Sequence, residues 1–233
     1  PEPTFFVDQN ATAGDNNGSS WCDAFLELSD ALDPSINTAI APGDIIWVAD
    51  GTYLADLTVD RDAVFKLITQ VEIYGGFHGE TTPCTTPDGE TERSQRNPDP
   101  KTNNTVLSGD LEGDDDPDGT IQGDNSKVIV KGAPNDSNAV LDGFKIIGAT
   151  RTAIQVGDPS DPSSPNLQNL WVVHNFATEN SPLATLGAGL YAYAGSNPKV
   201  FHCWFEENEA TGDGGAIYLE SYSQVVIELS YFT

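Results

Sequence analysis

The chain has 233 residues, of which 38% are hydrophobic and 20% charged. That length can bury a sizeable core, and much of the remainder is Gly, Asn, Asp, Ser, Thr and Pro, which is turn chemistry. Ten Lys and Arg face 36 Asp and Glu, a formal net charge of −26. Such a field excludes nucleic acid and anionic membranes as partners, and it disfavours an anionic polysaccharide unless a cation screens the surface. No apolar run approaches the roughly 18 residues of a membrane span, so no membrane insertion is expected.

Thr4–Asp8 reads as a short strand, followed by a turn-rich loop over 10–20. Ser20 precedes Asp23 at capping-box spacing, and Trp21, Phe25, Leu28 and Leu32 recur at helical spacing. They predict an amphipathic helix over 21–32 inside an N-terminal cap of residues 1–42. From residue 43 to 233 the pattern changes to short apolar stretches separated by Gly, Asn and Asp. They are Ile45–Ala49, Val71–Tyr74, Thr105–Leu107, Lys127–Val130, Val140–Ile147, Ala153–Val156, Leu170–His174, Gly189–Tyr193, Val200–Phe205, Ala216–Leu219 and Val225–Leu229. Each is too short for a globular helix, and no helical segments alternate with them.

The stretches repeat. Phe205 and Phe232 are 27 apart, Phe176 lies 29 before Phe205, and Ile146 lies 30 before Phe176. Leu190 and Ile217 are also 27 apart. A period of this length is one coil of a β-solenoid, with inward residues stacked in columns and Gly, Asn and Asp at the corners. Phe176, Phe205 and Phe232 are then expected in one stack. The helix at 21–32 would cover one open end. Nothing comparable follows Tyr231-Phe232-Thr233, so the chain is expected to continue as part of a longer protein, or to meet a partner such as another copy of itself at that C-terminal end.

Several segments together resemble a family of secreted bacterial right-handed β-helix proteins known as choice-of-anchor proteins. They are Phe6–Asn10 (FVDQN), Gly18–Leu32 (GSSWCDAFLELSDAL), Pro42–Tyr53 (PGDIIWVADGTY), Ile73–Glu80 (IYGGFHGE), Asn104–Asp110 (NTVLSGD) and Val140–Phe144 (VLDGF). Phe205–Asn208 (FEEN) and Gly214–Ile217 (GGAI) are similar to the paired repeats of polymorphic outer-membrane autotransporters. The resemblance implies a location outside the cell or on the bacterial cell surface, and it implies no chemistry. The expected fold is all-β: a right-handed parallel β-helix with an N-terminal capping α-helix.

The densest chemical signal is Asp110–Asp124 (DLEGDDDPDGTIQGD). Asp114, Asp116 and Asp118 alternate and Gly119 follows, a spacing that lets carboxylates converge on calcium while Gly makes the turn. Asp124 would complete the set, although Asn125 stands where a full calcium loop has Glu. A solvated acidic loop is the alternative. For catalysis the signals are weak. Leu170–Asn175 (LWVVHN) carries Val173 where a pectate-lyase strand motif has Asp, and the basic residues look few and scattered. His174 and His202 are 28 apart and could stack across coils, though corner positions are the plainer reading.

Tyr191, Tyr193, Trp204, Tyr218, Tyr222 and Tyr231 either pack inward or offer rings to sugars. Of three cysteines, Cys22 and Cys84 are expected to pair, tying a Thr- and Pro-rich loop to the cap, with Cys203 a buried thiol. Three separate thiols are the alternative. These readings converge on a non-catalytic extracellular module, structural or adhesive, stabilised by calcium and binding carbohydrate. The rival is a polysaccharide lyase or glycoside hydrolase of the pectate-lyase-like type.

Overall fold

The computed structural model describes residues 2–11, 13–80, 84, 89–116, 120–134, 138–177 and 186–233. Strand β1 (Phe5–Val7) leads to a five-residue helix, α1 (Leu28–Leu32). Thereafter the chain runs in circuits. The first contains β2 (Ile45–Ala49), β3 (Gly51–Leu54) and β4 (Phe65–Lys66). The second contains β5 (Glu72–Phe77), β6 (Thr105–Ser108) and β7 (Val128–Lys131). The third contains β8 (Val140–Asp142), β9 (Lys145–Ile147) and β10 (Thr152–Val156). The fourth contains β11 (Asn166–Gln168), β12 (Trp171–Val173), β13 (Phe176–Ala177) and β14 (Leu190–Ala192). The fifth contains β15 (Lys199–Phe201), β16 (Trp204–Glu206), β17 (Glu209–Ala210) and β18 (Ile217–Leu219). β19 (Val226–Glu228) and β20 (Tyr231–Phe232) follow.

Each circuit gives one strand to each of three sheets. The first sheet has the order β1-β2-β5-β8-β11-β15-β19, the second β3-β6-β9-β12-β16-β20 and the third β4-β7-β10-β14-β18, with β13 and β17 as a separate pair. The pairings between these strands are parallel. The molecule is therefore nearly all-β, with parallel sheets and almost no helix.

Register turns sequence into columns. Phe5, Ile46, Ile73, Leu141, Leu167, Val200 and Ile227 are paired in turn along the first sheet. Tyr53, Leu107, Ile146, Val172, Phe205 and Phe232 follow along the second, and Phe65, Val130, Ile154, Leu190 and Ile217 along the third. Most of these side chains are buried in one shared core, each worth about 1.5–3 kcal/mol when removed fully from water.

Corners require left-handed backbone. Between the first and second sheets that position is held by Gly143 (φ 88°), Asn169 (46°), His202 (51°) and Leu229 (50°). After the second sheet it is held by Gly148, His174 and Glu207. The next residues include buried Asn175, whose amide donates to Asn208 Oδ1 (2.9 Å) and whose Oδ1 accepts from Ala149 N (3.0 Å). Asparagine thus satisfies backbone groups that a corner strips from the ladders.

Two expectations are corrected. The helix is confined to Leu28–Leu32 and does not begin at Trp21. Ser20 and Asp23 do bond reciprocally (2.9 and 3.1 Å), but they close a turn. Phe25 cannot be helical because its N–H donates to Phe6 O (3.0 Å) and its carbonyl accepts from Asp8 N (2.9 Å). α1 packs Leu28, Ala31 and Leu32 against β1, β3 and β4. Phe176 also leaves the expected stack. It lies beyond the corner, in β13 opposite Glu209, and Val172 holds the inward position. Ile146, Val172, Phe205 and Phe232 are spaced 26, 33 and 27, so unequal connections defeat a constant period.

Candidate functional sites: an acidic loop, cysteines and corner residues

The acidic loop leaves β6 and returns to β7. It winds around Asp110, whose Oδ1 accepts from the backbone of Gly113 (2.8 Å) and Asp114 (3.1 Å), and whose Oδ2 accepts from Asp115 (3.3 Å). This side-chain turn folds the loop back on itself. Asp110, Asp114 and Asp124 each offer a carboxylate oxygen to a group whose atoms all lie within 4.8 Å of one another. Among the described residues, neither of the two buried carboxylate oxygens of Asp124 has a hydrogen-bond partner. Desolvation first, then the carboxylates of Asp124, Asp110 and Asp115, holds Asp114 above the usual aspartate range. Oxygen-only, anionic and convergent, the group has the donor chemistry of a hard divalent cation.

Of the four aspartates expected from sequence as ligands, Asp114 and Asp124 are in this group. Asp116 is exposed and outside it, its N–H donating to Thr120 O (3.1 Å). Asp118 lies outside the described residues, as does Gly119. Asp110 stands outside the alternating pattern of Asp114, Asp116 and Asp118, so that spacing does not point to it. The signal for it was Asp110 three residues before Gly113, the spacing of a carboxylate that caps its own downstream backbone. Asp115 has a different task. It accepts from Gln122 N (2.7 Å) and Asn125 Nδ2 (2.7 Å), while that amide also reaches Gly148 O (2.8 Å) in the next circuit. The loop is thereby fastened to the sheets.

No protein-family profile, curated sequence or solved structure matches the chain. No helix among the described residues is long and apolar enough to cross a membrane.

Cys22 and Cys84 are joined as a disulfide with Cα atoms 5.5 Å apart. Cys203 is a free thiol with no exposed surface, packed between Leu167 O and Phe201 O. Burial pushes it up to about 12, so it stays a thiol and a poor nucleophile. It shares a corner with Ser230, whose Oγ accepts from Cys203 N (3.1 Å). His174 and His202 occupy different corners and do not stack on each other. His174 Nε2 lies 3.1 Å from Glu207, and His202 stacks on Phe201.

The late aromatics divide. Tyr191 and Tyr193 are buried, while Tyr218 is half-buried and stacks on Tyr191 (5.4 Å). Trp204 stacks on Tyr231 (5.9 Å) on the outside of the second sheet. There Lys101 sits over both Trp171 and Trp204. Tyr222 is 93% exposed at a turn.

Proposed function

We propose that the chain is a non-catalytic extracellular module, a right-handed parallel β-helix with α1 capping its first circuit, that serves a structural or adhesive role. In this reading its long sheet faces bind glycans and calcium stiffens the acidic loop. The observation that carries the calcium reading is the Asp110–Asp114–Asp124 group, with its 4.8 Å spread and the two buried oxygens of Asp124, which have no hydrogen-bond partner among the described residues. Buried carboxylates without partners are costly, and a cation removes that cost. A secreted setting agrees with the Cys22–Cys84 disulfide, which persists in oxidising compartments, and with a chain of net charge −26.

The test is calorimetric. Calcium titrated into the chain should give heat and raise the melting temperature. At a hundredfold excess over Kd the gain is about 2.7 kcal/mol. Asp124→Asn or Asp114→Asn should remove the shift. Absence of heat, together with identical melting in calcium and in chelator, would end the calcium reading.

A further inference from the structure

In sequence the basic residues look scattered, but the winding of the chain gathers half of them. Of ten Lys and Arg, Arg61, Lys66, Lys127, Lys131 and Arg151 lie in or beside the first three strands of the third sheet. Two columns form. In one, Lys127 N donates to Arg61 O (2.9 Å) and Arg151 N to Lys127 O (3.0 Å), so three cations lie on successive circuits. In the other, Lys66, Lys131, Gln155, Tyr191 and Tyr218 are paired in register on the side opposite the core column. Between the columns lies a cleft of about 140 Å³, whose lining includes Lys127, Lys131, Arg151, Gln155 and Asp62.

The cations differ in how firmly they are held. Arg61 donates to Asn125 O (2.7 Å) and Thr150 Oγ1 (3.1 Å), which fixes it to the framework. Lys127 meets Asp62 at 2.8 Å and Lys131 meets Asp158 at 3.0 Å. The Asp62 side chain is 72% exposed, and such surface pairs are worth only about 0–1 kcal/mol, so they can exchange for another carboxylate. Arg151 donates to the neutral Gln155 Oε1 (2.5 Å). Lys66 is exposed. Further along the axis the same face turns aromatic. Tyr218 lies over Tyr191, whose hydroxyl donates to Glu220.

We propose that this face of the third sheet binds a linear acidic glycan, its sugar carboxylates on Lys127, Lys131 and Arg151 and a sugar ring against Tyr218. The assignment deepens the glycan-binding reading above and rests on it. Strands about 4.8 Å apart repeat the cations along the axis, which suits a polymer lying along it better than a compact ligand. Arg151 supplies a planar fork for a carboxylate. The net charge of −26 is that of the whole chain and disfavours a polyanion over the rest of the surface, so a carboxylate polymer is confined to this face, where the gathered lysines and arginines supply the screening cations.

The experiment measures binding of the 233-residue chain to polygalacturonate, its fully methyl-esterified form, dextran sulfate and dextran, by titration calorimetry at low and raised salt. Polygalacturonate should bind, weaken with salt, and lose about tenfold or more in affinity in Arg151→Gln and Lys131→Gln. Tyr218→Ala should weaken it less. Lys199→Gln, an exposed lysine on the first sheet, should change nothing. Melting curves confirm that each variant is folded.

Equal binding of the esterified polymer, untouched by Arg151→Gln, would overturn this face as the site while leaving glycan binding intact. Binding of dextran sulfate alone would overturn the carboxylate assignment. Self-association abolished by Arg151→Gln, with no polygalacturonate bound, would overturn the proposal by assigning the face to a second copy. Failure of every polymer to bind would overturn the glycan reading itself.

Discussion

The first circuit and the final strands β19 and β20 belong to the same columns, three at the first and two at the last, yet differ in burial. At the first, Ile46 and Tyr53 have no exposed surface and Phe65 is 1% exposed, with α1 packed alongside through Leu28. At the last, Ile227 is 41% exposed and Phe232 43%. The residue types are equivalent and the column pairs stay in register, the shift between β2 and β5 falling beyond Trp47, so sequence character alone does not set the burial. A strand in this architecture is stabilised by its neighbours on both sides, and one with a neighbour on one side keeps only part of that stabilisation.

The sharpest way to break the comparison uses two phenylalanines of one column. Phe205 and Phe232 pair in register, and their rings stack at 5.3 Å. Phe205 has no exposed surface, so Phe205→Ala should cost about 3–5 kcal/mol in chemical denaturation. Phe232→Ala should cost roughly 1 kcal/mol, because its ring already meets water. If the two variants cost the same, the last circuit is covered in solution and the contrast between the ends fails.

A second test acts on the first circuit. The bridge from Cys22 to Cys84 spans 62 residues and joins the segment after β1 to the loop after β5. In the chain-entropy account, closing such a loop stabilises by roughly 4 kcal/mol, less any strain. Cys22→Ser, or reduction of the wild type, should lower the denaturation midpoint accordingly. The loss should be additive with Phe205→Ala, which touches neither cysteine. A null result would show that packing under α1 holds this end unaided.

The parallel strands were legible because the inward columns need apolar residues at every circuit. Strands such as Ile45–Ala49 and Thr152–Val156 announce themselves by hydrophobicity. The two-residue strand Phe65–Lys66 and the polar Asn166–Gln168 do not, because their pairing is imposed by the neighbours. Phe176 fits the recurrence of 27–30 residues, but the inward positions Val172 and Phe205 are 33 apart, because the connection from β12 to β16 is longer than its neighbours. The 21–32 helix misled because its apolar spacing was real but its backbone was claimed by β1 at Phe25. In the acidic loop the density of carboxylates was legible and their grouping was not. Which carboxylates converge depends on the turn around Asp110, a backbone fact that composition does not contain. The cationic face was illegible for the same reason. Arg61, Lys127 and Arg151 are far apart in sequence, and only the circuit lengths bring them into line.

The smallest expected effect is a pH dependence near β1. Asp8 follows that strand and has no exposed surface. Its carboxylate accepts from the backbone of Asn10 (2.8 Å) and Glu80 (3.2 Å). Burial raises its pKa, those hydrogen bonds oppose the rise, and the Glu90 charge adds to it; the net shift is upward from 3.8. Burial first, and then the charge of Asp8 itself, raises the buried Tyr53 phenol. With a raised folded value, the folded state holds the proton longer than the unfolded chain as pH increases. Its contribution to stability is therefore full below 3.8 and is lost as pH rises through the folded value. Asp8→Asn mimics the protonated form at every pH. The melting temperature of the variant relative to wild type should therefore climb as pH passes up through that window and level off above it. A difference that shrinks with rising pH would mean that the hydrogen bonds from Asn10 and Glu80 outweigh burial, and that the interior of the first circuit favours the charge.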